Sequence, residues 1–378
     1  MTSPNEDDVP LRVSTLELFF DLVFVFAITQ LTSLLAKEMS FAAVGRVVLI
    51  FGVLWWMYGG YAWLTNTRTP VRAPERLLLL LGMAGFLTIG LSIPYAFVTV
   101  GAHSRAGVIL GIGYLLVVLV HGALYLRVNR NILRVVPFNV ASALLVIAAG
   151  ATLGVTGYAL WIAALAVQAL SPLISHPQGR FSIQPAHFVE RHGALIIVAF
   201  GESVADIGIG AAGQPVTPAL LTQAILGLAL AAALWWAYFG VGDDERAEDA
   251  MTRADPAARP GLALNAYFYA YIPMLLGIVA LSAGVKQVIG HAGPARYPAC
   301  LALAGGVALY LAGDVAFRHA LRIGTQRYRA AAAVVALAAV TVGVTLSVAA
   351  QIALLTLIVA AALVAERRGA RTADTVDP

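Results

Sequence analysis

The chain alternates between long apolar runs and short polar segments from one end to the other. The apolar runs hold about twenty residues each, which is enough to cross roughly 30 Å of hydrocarbon as an α-helix. Strand-like alternation of apolar and polar positions is absent. Because a chain in lipid must satisfy its own backbone hydrogen bonds, this pattern predicts an all-α integral membrane protein.

Twelve apolar segments fit a membrane-spanning helix, six before and six after a polar connector from Ser175 to His187. The first segment is predicted to be retained, because Met1–Pro10 is acidic and lacks the basic region of a cleavable signal peptide. The predicted segments are 15–36, 41–64, 75–97, 105–126, 132–152, 155–175, 190–211, 219–241, 261–285, 299–320, 327–346 and 349–366.

Composition supports a membrane protein. Hydrophobic residues make up 60% of the 378 residues and charged residues 12%, whereas a soluble domain has about 25% charged residues. The mean hydropathy is +0.84. The single cysteine, Cys300, excludes an intramolecular disulfide and a multi-cysteine metal site.

The positive charges fall in alternate connecting segments. If both termini are cytoplasmic, 19 of the 24 Lys and Arg residues lie in cytoplasmic segments or at their helix ends. The exceptions are Lys37, Arg46, Arg105, Lys286 and Arg296. This asymmetry follows the positive-inside rule, so we expect a multi-pass protein of the bacterial inner membrane with cytoplasmic termini. The net charge of +4 therefore reports topology, and no nucleic-acid partner is predicted.

Two similar motifs suggest an internal repeat. The sequence Leu-Trp-Trp-Met-Tyr at 54–58 returns as Leu-Trp-Trp-Ala-Tyr at 234–238. Six helices per half give both halves the same orientation, so we predict about 12 transmembrane helices in two parallel pseudo-symmetric six-helix halves, 1–178 and 179–378. The alternative is that the Trp pairs belong to an interfacial aromatic belt.

Two motifs carry a resemblance to a known family. The segment from Ser14 to Val25 (STLELFFDLVFV) and the segment from His187 to Ser203, with HFVERHG and FGES, resemble the signature of the bacterial low temperature requirement protein A (LtrA) family. The likeness runs from Leu11 to about Ala365. It implies a bacterial multi-pass membrane protein named after a cold-growth phenotype, and no particular reaction. A weaker likeness links Phe20-Asp21 to the Phe-Ser-Asp motif of potassium-permeable channels with six-helix repeats, although Phe20 replaces the serine.

Acidic residues inside the apolar segments are the first candidates for function, because a charge at membrane depth costs at least about 2.5 kcal/mol. Glu17 and Asp21 stand four residues apart on one helix face, as do Glu202 and Asp206. Two carboxylates at this spacing repel, so one of them would tend to keep its proton. This is the chemistry of a proton or cation path. Alternatively, Ser14 and Glu17 form a capping box.

Two further segments offer second members of such a path. Asp314 lies in the middle of its segment, and His121 lies at a matching depth in the first half. Asp314 and Arg318 have the spacing of an internal ion pair, although Arg318 also stands where it can extend to the head groups. A hydrogen-bonded packing role is the alternative for His121.

A cluster of His187, Glu190, Arg191 and His192 opens the second half. We predict lipid head-group or anion binding there, with an ordinary interfacial cluster as the alternative. No metal site is predicted, because the two histidines are five residues apart and fall on different helical faces. The segment 242–260, with Asp243, is interpreted as a solvated cytoplasmic linker.

The leading hypothesis is a secondary transporter or ion-permeation protein whose polar path lies between the halves and uses Asp21 and Glu202. One alternative is a membrane-embedded enzyme acting on a lipid or isoprenoid at the cytoplasmic face, and another is a non-catalytic sensor or scaffold. No cofactor is predicted. The predicted partners are membrane lipids and a small ion or small-molecule substrate, and a homodimer is an allowed assembly.

Overall fold

A computed structural model describes residues 12–68, 70–98, 101, 104–152, 154–175, 183–291 and 293–374. Every regular element in these residues is helical. The α-helices are α1 (Thr15–Glu38), α2 (Phe41–Thr67), α3 (Ala73–Ser92), α4 (Ala106–Tyr125), α5 (Val136–Ala151), α6 (Gly154–Ser175), α7 (Pro185–Ala211), α8 (Pro218–Tyr238), α9 (Asp243–Arg253), α10 (Arg259–Ala263), α11 (Tyr271–Val288), α12 (Tyr297–Leu321), α13 (Arg327–Thr345) and α14 (Val348–Asp374). Short 3₁₀ turns occupy Ile93–Tyr95 and Arg130–Arg134, and Leu264–Tyr269 is π-helical.

Helices lie at all the predicted apolar segments. Among the described residues, eleven helices are long and apolar enough to cross a membrane. The shorter apolar helix α5 has 16 residues, which corresponds to about 24 Å at 1.5 Å per residue. The chain is therefore a multi-pass helical membrane protein, while the number of twelve spans stays a prediction.

The prediction of a solvated linker after α8 is wrong. Residues 243–253 form helix α9. Gly242, immediately before it, has a left-handed backbone conformation (φ 71°). Three acids occupy its first turn and Arg253 its last, which matches the helix dipole. One face of α9 is buried, including the Asp243 side chain. Hydropathy alone assigns a short charged stretch to a loop, but here the buried positions recur at helical spacing.

Local sequence explains where several helices begin. Ser14 caps α1, since the backbone amide of Glu17 donates to Ser14 Oγ at 3.3 Å and Ser14 N donates to Glu17 Oε2 at 2.9 Å. This is the capping box expected from the sequence. Thr217 caps α8 by accepting from the Leu220 amide at 3.2 Å, and Pro218 follows at the first helical position.

The chain divides into two compact units. The first unit comprises Met1–Leu34, Gly45–Leu195 and Asp255–Pro260, and the second comprises Leu35–Val44, Ile196–Ala254 and Gly261–Pro378. The change from one unit to the other in the middle of the chain falls inside α7. The predicted pseudo-symmetric halves, 1–178 and 179–378, stay a prediction.

Aromatic packing dominates the interior of the first unit. Phe20 on α1 lies 4.9 Å from Tyr61 on α2 and 5.2 Å from Phe86 on α3, measured between ring centroids. Phe24, one turn further along α1, lies 4.4 Å from Tyr58. These rings fix α1 against α2 and α3, and so they set the position of the acidic residues on α1.

Helices α11 and α12 of the second unit approach each other closely. A Cβ atom added to Gly306 on α12 would lie 2.5 Å from the Leu281 nitrogen on α11, and one added to Gly277 would lie 2.6 Å from the Tyr310 nitrogen. Both distances are too short for any side chain. Small residues at the interface let the two helix backbones approach closely. Membrane helices associate largely through the van der Waals contacts that result.

Candidate functional site

Helix α1 carries two fully buried carboxylates one turn apart. Glu17 and Asp21 are both 0% exposed. Glu17 closes the capping box at the start of α1, where its Oε2 also accepts from Ser14 Oγ at 2.7 Å. The same carboxylate also contacts other side chains of the first unit. The contacts of Glu17 therefore agree with both interpretations, a helix cap and a member of a polar interior.

Arg191 on α7 joins the two acids. Its Nη1 donates to Glu17 Oε1 at 3.2 Å, and its Nη2 donates to Asp21 Oδ1 at 3.2 Å. Nη1 also donates to Thr65 Oγ1 on α2. The guanidinium carbon lies 5.6 Å from the ring centroids of both Phe20 and Tyr58. A fully buried arginine in such contacts is held as a cation by its carboxylate partners and by the adjacent aromatic faces.

His187, one turn before Arg191 on α7, completes the cluster. Its Nε2 lies 3.1 Å from Glu17 Oε1, and its Nδ1 lies 3.2 Å from Asn66 Nδ2. The orientation of the Asn66 amide is fixed, because its Oδ1 accepts from the Gln184 backbone nitrogen and its Nδ2 donates to the Gln184 carbonyl, both at 3.0 Å. Asn66 Nδ2 is therefore a donor, so His187 Nδ1 must accept. This assignment leaves His187 neutral, with its proton on Nε2 facing Glu17.

The charges of this first-unit cluster, defined as Glu17, Asp21, His187 and Arg191, do not cancel. With both carboxylates ionised, two negative charges face one guanidinium and a neutral imidazole, so the deprotonated cluster carries one negative charge in excess. Three polar atoms around Asp21 are buried without a hydrogen bond of strict geometry to the described residues: Asp21 Oδ2, Arg191 Nε and the Tyr58 hydroxyl. The Tyr58 hydroxyl nevertheless lies within interaction distance of the Asp21 carboxylate. Asp21 Oδ2, which accepts nothing from Arg191, is the oxygen to which a proton can bind.

The remaining members of the predicted lipid or anion site are arranged differently. His192 is buried, and its Nδ1 donates to the Phe188 carbonyl at 2.8 Å. Glu190 is exposed and accepts from the Val13 backbone nitrogen at 3.2 Å. An anion at Arg191 would have to displace Glu17 or Asp21. Lipid or anion binding by these residues stays a prediction.

In the second unit, Asp206 is fully buried beside Lys286, with Oδ1 3.3 Å from Nζ. Glu202, one turn earlier on α7, is half-buried and forms neither a hydrogen bond nor an ion pair with the described residues. Ser203, between them, shares a 2.6 Å hydrogen bond with Ser282 on α11. Glu202 and Asp206 are thus close in sequence but differ in burial and in partners.

Asp314 belongs to a second charged cluster, in which it forms its ion pair with Arg329 and not with Arg318, the partner that its spacing allowed. Asp314 Oδ2 instead accepts from Arg329 Nη1 at 2.6 Å. Arg318 pairs with Asp243 on α9 at 3.4 Å and with Glu366 on α14 at 2.5 Å. The second-unit cluster comprises Asp243, Asp314, Glu366, Arg246, Arg318 and Arg329. Helical spacing within α12 is outweighed here by partners that other helices bring in.

His121 on α4 lies apart from these charges. Its ring contacts Tyr61 and Tyr125, with centroid distances of 5.2 and 5.4 Å. The side chain is 4% exposed, and neither ring nitrogen forms a hydrogen bond of strict geometry with the described residues, although the Gly60 backbone lies within reach of the ring. Both the proton-path role and the packing role of His121 stay predictions.

Sequence reasoning missed several contributors to both clusters. Thr65 and Asn66 on α2 are single polar residues at the end of an apolar run, which is their only signal. Asp243, Arg329 and Glu366 lie near helix ends, where charges are usually solvated. Among the described residues, no group of three or more His, Cys, Asp and Glu side chains is arranged to hold a metal ion.

Comparison with known proteins extends over nearly the whole chain. Residues 12–365 match the family described as bacterial low temperature requirement A protein (LtrA). A Rhizobium meliloti (strain 1021) protein, named uncharacterized protein RA0937, is 28% identical over 326 residues, which cover 80% of this chain and 76% of the relative. No solved structure gives a significant match. The chain therefore belongs to the bacterial low temperature requirement A protein (LtrA) family.

Proposed function

We propose that the chain is a proton-coupled secondary transporter in which the first-unit cluster takes up and releases one proton per cycle. The observation that carries this proposal is the charge of the cluster. Glu17 and Asp21 are fully buried and share one guanidinium, while Asn66 keeps His187 neutral. A buried excess charge is costly in lipid-embedded protein, so the cluster favours binding one proton or one small cation.

Asp21 is the proposed proton-binding residue. Its Oδ1 accepts from Arg191, whereas its Oδ2 accepts no hydrogen bond of strict geometry from the described residues. A proton on Oδ2 neutralises Asp21 and leaves Arg191 paired chiefly with Glu17. Loss of that proton restores the bridge from Arg191 to both acids. Because α7 carries Arg191 and α1 carries the acids, each protonation change alters the force between these two helices.

Competition between a proton and a cation for one negative charge gives a simple basis for coupling. A cation attracted to the deprotonated cluster would have to leave before the next proton binds, and the reverse also holds. Transport driven by such exchange requires that only one of the two occupies the cluster at a time. The transported substrate is a small ion or small molecule that competes with the proton for the cluster.

The membrane and its orientation are also part of the proposal. The distribution of arginines supports an inner-membrane location with both termini in the cytoplasm. The paired Trp motifs at 54–58 and 234–238 support a parallel internal repeat. The other path residues expected from the sequence, Glu202, Asp206, His121 and Asp314, stay predictions.

A flux assay in proteoliposomes tests the proposal. Purified protein is reconstituted with a pH-sensitive dye inside the vesicles, and pH and potassium signals are recorded under imposed proton and potassium gradients. We expect protein-dependent proton movement that falls to the level of empty vesicles in Asp21→Asn. Asp249→Asn is the matched control, because Asp249 is 69% exposed and forms only a surface pair with Arg253.

The stability of each variant is measured on the same preparation. Because Asp21→Asn removes the excess charge, its unfolding midpoint in detergent should stay close to that of the unmodified protein. Normal proton movement by a folded Asp21→Asn protein would refute the role of Asp21. Absence of protein-dependent pH change across all imposed gradients, with folded and inserted protein, would refute proton coupling.

A further inference from the structure

A cavity in the first unit, open on one side, is separate from the charged cluster. Its volume is about 230 Å³, and it lies between α2, α4, α6 and the segment that joins α4 to α5. Three aromatic side chains, Trp56, Trp63 and Tyr125, contribute to the lining together with Gly60 and His121. For comparison, an apolar cavity of about 150 Å³ binds benzene. The cavity therefore has room for a ring with substituents.

His121 supplies hydrogen-bonding groups to this cavity. Its side chain is 4% exposed, and neither ring nitrogen forms a hydrogen bond of strict geometry with the described residues; the Gly60 backbone, within reach of the ring, can engage at most one of the two nitrogens. A buried polar group left without a partner costs about 1–3 kcal/mol. A neutral imidazole offers one donor and one acceptor, so a bound molecule with a hydroxyl or carbonyl group would satisfy His121 and recover part of this cost.

The lining selects against charged molecules. The described residues around the cavity include no Asp, Glu, Lys or Arg. A cation or an anion placed there would lose its hydration without gaining an opposite charge. Aromatic rings and apolar side chains instead favour an apolar body, with a few placed polar groups fixing its orientation.

The bilayer is the natural source of such a molecule. Trp56 and Trp63 are half-buried and Pro172 is exposed, and all three belong to membrane-spanning helices. Their exposed surface belongs to helices that are long and apolar enough to cross a membrane, and an apolar molecule dissolved in the lipid can reach it by lateral movement. Tryptophan and tyrosine, with apolar rings and polar tips, are suited to guide a molecule of the same character.

We propose that this cavity is a binding site for a neutral, ring-bearing molecule that enters from the membrane and pairs its hydroxyl or carbonyl group with His121. This inference is independent of the proton-coupling proposal, because His121 and Gly60 are not members of the first-unit cluster. It assigns to His121 a ligand-binding role in place of the proton-path role expected from the sequence.

Equilibrium binding with two matched probes tests the inference. Protein in lipid nanodiscs is dialysed against 2-naphthol or naphthalene, and empty nanodiscs give the partitioning background. We expect saturable binding of one molecule per chain, with 2-naphthol preferred over naphthalene by roughly two- to tenfold, the range given by one net hydrogen bond. His121→Phe keeps a ring of similar size and should remove that preference while naphthalene still binds.

A cavity-filling variant and its control complete the test. A Cβ atom on Gly60 would lie 3.0 Å from His121 Nε2, so Gly60→Leu fills the cavity and should abolish saturable binding of both probes. Gly45→Leu lies on the same helix, where an added Cβ meets no atom within 4 Å, and should bind like the unmodified protein. Binding no greater than in empty nanodiscs, unchanged binding in Gly60→Leu, or an unchanged preference in His121→Phe would each overturn the inference.

Discussion

Each unit of the molecule contains a cluster of acids and arginines, but the two clusters differ in charge. The first-unit cluster sets two carboxylates against one arginine and a neutral histidine. The second-unit cluster sets three carboxylates against three arginines, of which Arg246 is 43% exposed and pairs with Asp243 at the edge of the cluster. The same residue types therefore leave an uncompensated negative charge in one unit and full compensation in the other.

This difference separates a site that can exchange a proton from a site that holds helices together. In the second unit, Arg329 on α13 contacts Asp314 on α12, Asp243 on α9 and Glu366 on α14. Three arginines balance the three acids there, whereas Glu17 and Asp21 share a single arginine, so a proton has no excess negative charge to compensate in the second unit. In the first unit, one more positive charge is required for neutrality. Buried arginine clusters are thus best distinguished by their net charge.

The largest expected effect is the loss of Arg329. Arg329→Met leaves Asp314 buried without its cationic partner, which should lower the free energy of unfolding by about 3–5 kcal/mol. The measurement is equilibrium unfolding in mixed micelles. Arg327→Met, an exposed position on the same helix, serves as the control and should change stability by less than about 0.5 kcal/mol. Equal stability of the two variants would show that the second-unit cluster does not anchor its helices.

The next effect compares two equivalent substitutions, one in each cluster. Asp314→Asn removes a charge-assisted hydrogen bond from a compensated cluster and should cost about 1.5–3 kcal/mol. Asp21→Asn removes the excess charge, so the lost hydrogen bond is offset by a smaller desolvation cost, and stability should change by less than about 1 kcal/mol. Unfolding of both proteins under identical conditions gives the comparison. A larger loss for Asp21→Asn than for Asp314→Asn would contradict the charge assignment.

The sequence predicted the helices well because hydropathy alone determines membrane-spanning segments. All predicted apolar segments are helical, and the capping box of Ser14 and Glu17 is present. Hydropathy failed at α9, where a polar amphipathic helix buries one face. The buried acids could also be recognised in the sequence. A carboxylate within an apolar run, such as that of Asp21, is costly to bury unless it has a partner or a function.

Partners of the buried charges could not be predicted, because they come from distant parts of the chain. Arg191 meets Glu17 and Asp21 across more than 160 residues. Local spacing suggested Asp314 with Arg318, but Arg329 and Asp243 are the actual partners. The charge of a cluster depends on the complete set of partners, so the distinction between the two clusters is visible only in three dimensions.

The smallest expected effect concerns Asn66, which fixes the protonation of His187. Asn66→Leu removes the hydrogen bonds to Gln184 and His187 and should lower the free energy of unfolding by roughly 1–2 kcal/mol. Its more informative consequence is at His187, because Nδ1 is no longer required to accept a hydrogen bond. The two neutral tautomers then become accessible, where the unmodified protein holds only the form with the proton on Nε2.

Nitrogen NMR of histidine-labelled protein measures this directly, since a protonated and an unprotonated ring nitrogen have well-separated shifts. The chain has seven histidines, and the signals of His187 are those that disappear in His187→Gln. We expect an unprotonated Nδ1 in the unmodified protein near neutral pH and averaged signals in Asn66→Leu. Both nitrogens protonated in the unmodified protein would add the missing positive charge to the first-unit cluster. The two clusters would then be equally compensated, and the reason for assigning proton exchange to Asp21 would be lost.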